Sequence, residues 1–110
     1  MIVKAGNLGF DVTKCSSFFS QARGLMFKRL INDGLLFIFD EDLRIDLHML
    51  FVFYTIDIVF IDSEFKVIKV LRKVKPFRLF VKGVKCKYIL ELKDCKGLKV
   101  NDKVSFKYNN

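Results

Sequence analysis

The sequence predicts an α+β fold that is mostly β. It reads as a compact sandwich or barrel of about seven or eight short strands with one helix in the N-terminal half, all within a single domain over residues 1–110. Three observations lead there. Short runs rich in β-branched and aromatic residues recur along the chain, separated by Gly, Asn, Asp and Ser turns. One of them, His48–Asp62 (HMLFVFYTIDIVFID), is almost wholly apolar and reads as one or two strands buried on both faces. Helical spacing of apolar residues is confined to one early stretch, from Phe18 to Arg29.

In chain order, Ile2–Lys4 and Phe10–Thr13 read as strands around a turn at Gly6, Asn7 and Gly9. Ser16 or Ser17 caps the helix that follows, with Phe18, Ala22, Leu25, Met26 and Arg29 along one face. Gly24 inside it costs about 1 kcal/mol against Ala, which suggests that another segment passes close by. Asn32–Gly34 is a turn, Leu35–Phe39 a buried strand and Asp40–Asp42 a solvated acidic loop. Leu43–Leu47 alternates as a half-exposed strand leading into the central run. Asp62-Ser63-Glu64 closes a hairpin whose return strand is Phe65–Val74. Lys75–Val84 is a loop region beginning at Pro76, Lys85–Lys93 a strand, Asp94–Asp102 a turn-rich link and Val104–Tyr108 the last strand.

Within the central run, strand alternation sets Tyr54, Ile56, Ile58 and Phe60 on one face and Thr55, Asp57, Val59 and Ile61 on the other. The run is too short to cross a bilayer, which needs roughly 20 apolar residues. Asp57 needs a partner, because an unpaired buried carboxylate is costly. Arg23 is the expected one.

Composition narrows the class. The net charge of +8 is uneven: residues 1–64 carry six Lys/Arg against nine Asp/Glu, and residues 65–110 fourteen against three. A strongly basic face and acidic partners are expected from that imbalance. Cys15, Cys86 and Cys95 show no CxxC spacing and His48 is the sole histidine, so neither a closed zinc site nor another cofactor is expected. The first ten residues lack a basic n-region and a long apolar h-region, and a cytoplasmic protein is expected.

The blocks ARGLMFKRL (Ala22–Leu30), DGLLFIF (Asp33–Phe39), HM…TIDIVFID (His48–Asp62), KVIKV, YILEL and LKVNDKV, in that order, resemble the family catalogued as domain of unknown function 192. The resemblance runs from about Thr13 to Phe106. It implies a compact β-sandwich or barrel with one helix, and it brings no established activity. Many bacterial relatives begin with an export or lipoprotein signal, which is not seen here. This chain also departs from the commoner bacterial pattern: His48 stands where a Trp is usual, Leu50, Phe51 and Val52 replace a Lys-Asn-Thr triplet, Thr55 replaces a Pro and Leu36 a Met.

The favoured function is a non-enzymatic module binding a small ligand or a partner protein. Its expected cleft lies between the Arg23–Met26 helix and the His48–Asp57 strand, with Arg23, Met26, His48, Asp57 and Glu91 as candidate site residues. Pairing of Arg23 with Asp57 or Glu91 is first of all a structural expectation. The alternative is a nucleic-acid or ribosome-surface protein using Arg72, Lys73, Lys75, Phe77, Arg78 and Lys82, which mix cations with stacking rings. A hydrolase built on His48 and Asp46 is remote, since no Ser or Cys is placed as nucleophile.

Overall fold

The computed structural model describes residues 1–15, 32–44, 55–75 and 82–107. These residues form one seven-stranded sheet and contain no helix. The expected helix over 18–29 lies outside them, as do residues 48–54 of the central run. The strands are β1 (Ile2–Ala5), β2 (Leu8–Cys15), β3 (Gly34–Arg44), β4 (Ile56–Ile61), β5 (Val67–Val74), β6 (Lys85–Leu92) and β7 (Ser105–Lys107). Their order across the sheet is β5-β4-β6-β3-β2-β1-β7, and the sheet curls into a half-barrel.

Local chemistry explains the joints. Ala5 pairs with Leu8 across a two-residue turn in which Gly6 takes φ +60°, the position where a tight hairpin favours glycine. Further along, Asn32 bonds Thr13 through its side chain and Asp33 accepts the Asp11 amide at 2.7 Å. Those contacts dock the entry of β3 beside β2, with which it pairs in parallel. At Gly34, the first residue of β3, an added Cβ would collide with the Glu91 carbonyl oxygen. The Asn-Asp-Gly sequence reads as a turn, but this glycine is required because β3 and β6 approach so closely there.

The central run behaves as its alternation implies. Ile56, Ile58 and Phe60 of β4 join one apolar cluster, with Leu35, Phe37 and Ile89. Val59 and Ile61 join the other, with Val3, Phe10, Leu36, Tyr88, Leu90 and Leu92. Every residue of β4 is buried, so both faces of the strand are covered. Fully burying each such Ile or Phe contributes about 1.5–3 kcal/mol.

Two readings change. Asp40–Asp42, expected as a solvated loop, lies within β3: pairing with β6 is irregular after Ile38 and resumes at Leu43 opposite Cys86. The acidic trio is the bulged part of a long strand, held in line by pairing on either side. The return strand begins at Val67, because Phe65 belongs to the turn.

The half-barrel is bridged along its open side by the segment after β6. Cys95–Leu98 turns beside the far end of β5, and Asn101–Val104 then runs antiparallel along the start of that strand. Asn101 and Val67, Asp102 and Val67, and Val104 and Phe65 are joined by backbone hydrogen bonds of 2.8–2.9 Å, with a Lys66–Lys103 bridge between them. The same segment continues as β7 on the edge of β1. The strap therefore runs from the edge strand β5 to β7, the strand at the other end of the sheet. Cys95, Leu98 and Val104 of the strap enter the cluster of Val59 and Ile61, the inner one; the cluster of Ile56 and Phe60, on the other face of the sheet, is the outer one.

Gly34→Ala is expected to cost at least about 2 kcal/mol, since a backbone clash is relieved only by parting β3 from β6. Chemical denaturation of the variant measures it; wild-type stability would show that the approach at Gly34 is dispensable.

Candidate functional site

An acid in the middle of an apolar strand must find donors, and β5 supplies the first. Opposite Asp57 the β4–β5 register slips: Ile56 pairs with Val74 but Ile58 with Leu71. The extra residue on β5 turns Lys73 to φ +54° and aims its amide at the Asp57 carboxylate, 2.8 Å away. The other carboxylate oxygen accepts the Cys95 amide, also at 2.8 Å. Beside it, the Arg72 guanidinium donates to Cys95 Sγ and to the Lys96 carbonyl, both at 2.8 Å, and to the Leu98 carbonyl. Burial pushes the Asp57 pKa up, but the two amides, the Cys95 thiol and the nearby Arg72 charge outweigh it and hold it below its ordinary 3.8. Burial and the same carboxylate push the Cys95 thiol up to about 11. A thiol so raised is the reverse of an activated nucleophile. The other described thiol, Cys86, is buried in the outer cluster, so it lies across the sheet from Cys95 and no disulfide joins them.

Asp57 and Glu91, expected to border one cleft, do not share a face. Asp57 pairs with Leu92 and Glu91 with Ile58, so Asp57 points to the inner cluster and Glu91 to the outer one. Glu91 is 7% exposed among apolar neighbours, and burial raises its carboxyl to about 7. Arg23, Met26 and His48 lie outside the described residues, so the amides of Lys73 and Cys95 and the guanidinium of Arg72 are what answers Asp57 among those that are described.

The basic set also divides. Arg72 is committed to the strap on the inner side. Lys82 meets β5 from the other side: its carbonyl accepts the Lys69 ammonium at 3.3 Å, and that ammonium lies 5.9 Å from the Phe60 ring centre, on the outer face. Lys73 and Lys75 are exposed, and Phe77 and Arg78 lie outside the described residues. Arg72 and the Lys82 backbone thus meet β5 from opposite faces.

A different place emerges as a cleft. At the end of the half-barrel away from Asp57, a cavity of about 480 Å³ opens between β2, β3, β6 and β7. Its inner wall carries Lys14, Ile38 and Tyr88, which lie on the inner-face side of three neighbouring strands. Phe65 and Phe106 complete it. The Phe65 and Tyr88 rings stack at 5.3 Å and 22°, and Phe106 stands edge-on to both at 5.4 and 4.9 Å. The Lys87 ammonium lies 5.8 Å from the Tyr88 ring centre.

The turn holds Phe65 there. Asp62 Oδ1 accepts the Glu64 and Lys66 amides, the Phe65 amide bonds the Asp62 carbonyl, and the Phe65 carbonyl accepts the Val104 amide. In such a three-residue hairpin loop the last position is left-handed and favours glycine. Here it is a phenylalanine at φ +63°, 39% exposed. Sequence reasoning missed this site because its residues come from five separate segments. The one available signal was an aromatic at the loop position where glycine is favoured.

The two buried carboxyls predict opposite pH dependences. The folded pKa of Asp57 is depressed, so its contribution is present above its unfolded value of 3.8 and is lost as pH falls through the folded value. Asp57→Asn is expected to lower stability by about 2–4 kcal/mol near neutral pH and to remove that acid limb. The folded pKa of Glu91 is raised, so stability is full below 4.5 and is lost as pH rises through about 7. Glu91→Gln is expected to match wild type near pH 4 and to exceed it by roughly 3 kcal/mol near pH 8. Urea denaturation across pH 3–8 reads both, and parallel curves for wild type and Glu91→Gln would contradict the second.

The sequence profile of the DUF192 family, described as "Uncharacterized ACR, COG1430", matches residues 1–106. A UPF0127 protein of Pyrococcus horikoshii is 36% identical over 98 residues, which cover 87% of this chain and 82% of that protein. A UPF0127 protein of Thermococcus sibiricus is 36% identical over 77 residues, covering 68% of this chain and 49% of that one. The chain thus spans about half the length of the Thermococcus relative. Among solved structures, a protein of unknown function from Novosphingobium aromaticivorans superposes with a TM-score of 0.85 at 21% identity, over 96% of this chain and 84% of its own. A Sinorhizobium meliloti protein gives 0.82 at 18%, over 94% and 89%. At those identities the two structures share the fold and nothing finer. With its profile matched almost end to end, the chain belongs to the DUF192 family.

Proposed function

We propose that this chain is a non-enzymatic binding module that takes a small ligand in the cleft at the open mouth of the half-barrel. The observation that carries the reading is Phe65. A bulky residue in the left-handed region costs about 1–3 kcal/mol and persists only where its surroundings force it. Here hydrogen bonds pin the turn on both sides, and they hold a partly exposed ring against Tyr88 and Phe106. Barrel mouths are common ligand sites, and about 480 Å³ falls within the range of small-molecule pockets. The size favours a small ligand over a protein surface. The buried thiols and the raised pKa of Cys95 weigh against thiol chemistry.

Phe65→Gly separates binding from folding. Release of the strained backbone is expected to offset the lost ring contacts, leaving stability within about 1 kcal/mol of wild type. Affinity for the fluorescent probe anilinonaphthalene sulfonate, titrated against the folded protein, is expected to fall at least about fivefold with the loss of a stacking ring. Unchanged affinity in a folded variant would remove the proposed site.

A further inference from the structure

Resting on that reading, we infer that the ligand is a planar aromatic molecule carrying an anionic group. Two features of the mouth point to this chemistry. The first is the shape of its apolar wall. Phe65 and Tyr88 are nearly parallel, Phe106 stands across them at 79° and 81°, and Phe65 keeps 39% of its surface exposed at the rim of this all-aromatic cluster. Stacked and edge-to-face contacts are what a flat ring gains over an aliphatic chain of equal area.

The second is charge. The cleft is lined by Lys14 and Lys87 on its inner strands and by Ser105 on β7, and no Asp or Glu is among the described residues that line it. Lys103 and Lys107 flank Ser105 and are exposed. Lys87 already lies beside the Tyr88 ring, which places a cation next to a stacked aromatic body. A carboxylate or phosphate on that body meets the ammonium groups and the Ser105 hydroxyl at the rim. An anionic group on the ligand adds a charged contact that a neutral ring lacks, and a cation gains nothing from a rim of this sign.

An aryl carboxylate and a mononucleotide both carry this chemistry, and a four-probe titration distinguishes them. Naphthoate, adenosine monophosphate, naphthol and octanoate are each added to the ¹⁵N-labelled chain, and the amide signals of Tyr88, Ser105 and Phe106 are followed. At least one aromatic anion is expected to bind about tenfold or more tighter than both naphthol and octanoate, the scale of one good charged contact. Which anion wins names the source. Lys87→Gln is expected to shrink the advantage over naphthol to about threefold or less, and Phe65→Leu to erase the advantage over octanoate. If naphthol or octanoate equals the better anion, the inference fails while the mouth stays a binding site. If all four leave those amides unmoved, both the inference and the binding reading fall.

Discussion

A single carboxylate, that of Asp57, is the point on which the described fold turns. Removing an ionised carboxylate from water costs several kcal/mol even after relaxation, and a net gain requires well-placed donors. Each charge-assisted hydrogen bond returns about 1.5–3 kcal/mol, so two amides together are of the right size to offset the cost. The depressed pKa of Asp57 says that they do, with Arg72 adding to them. The two amides belong to different parts of the chain. Lys73 lies in the β5 bulge and Cys95 at the start of the strap, so the acid ties an edge strand to the segment that spans the gap. Arg72 repeats the link with opposite polarity, donating to the carbonyls of the same turn.

The consequence reaches the other end of the molecule. The strap anchored at Cys95 runs along β5 to Val104 and becomes β7, which supplies Ser105 and Phe106 to the mouth. One end of the half-barrel is thus closed by buried hydrogen bonds to a charge. The other is left with a strained aromatic at its rim. That asymmetry, a satisfied polar network at one pole and an unrelieved local conflict at the other, is the reason for proposing the mouth, and not the Asp57 pole, as the binding site.

Much of the fold was legible in the residues. The alternation of TIDIVFI sorts its side chains to the correct faces, and YILEL does the same for Tyr88, Leu90 and Leu92 against Ile89 and Glu91. Local period carries that information. The path of β3 through Asp40–Asp42 was not legible, because only pairing with a strand more than forty residues later keeps an acidic trio extended. Asp57 was read as needing a partner; its described donors are backbone amides, which leave no mark in a sequence, and the expected cation, Arg23, lies outside the described residues. Arg72 looked like one of a basic set, although its guanidinium serves three acceptors on the strap. The mouth escaped notice because its lining converges only once the sheet has curled.

The most direct test of the central claim is an NMR titration of the Asp57 side-chain carboxyl, with hydrogen exchange of the Lys73 and Cys95 amides followed in the same sample. The account predicts a midpoint below the ordinary 3.8 and two amides that exchange as slowly as those in the middle of β4. A midpoint at or above 3.8, with both amides exchanging like those of an open loop, would mean that the strap is not held by this acid.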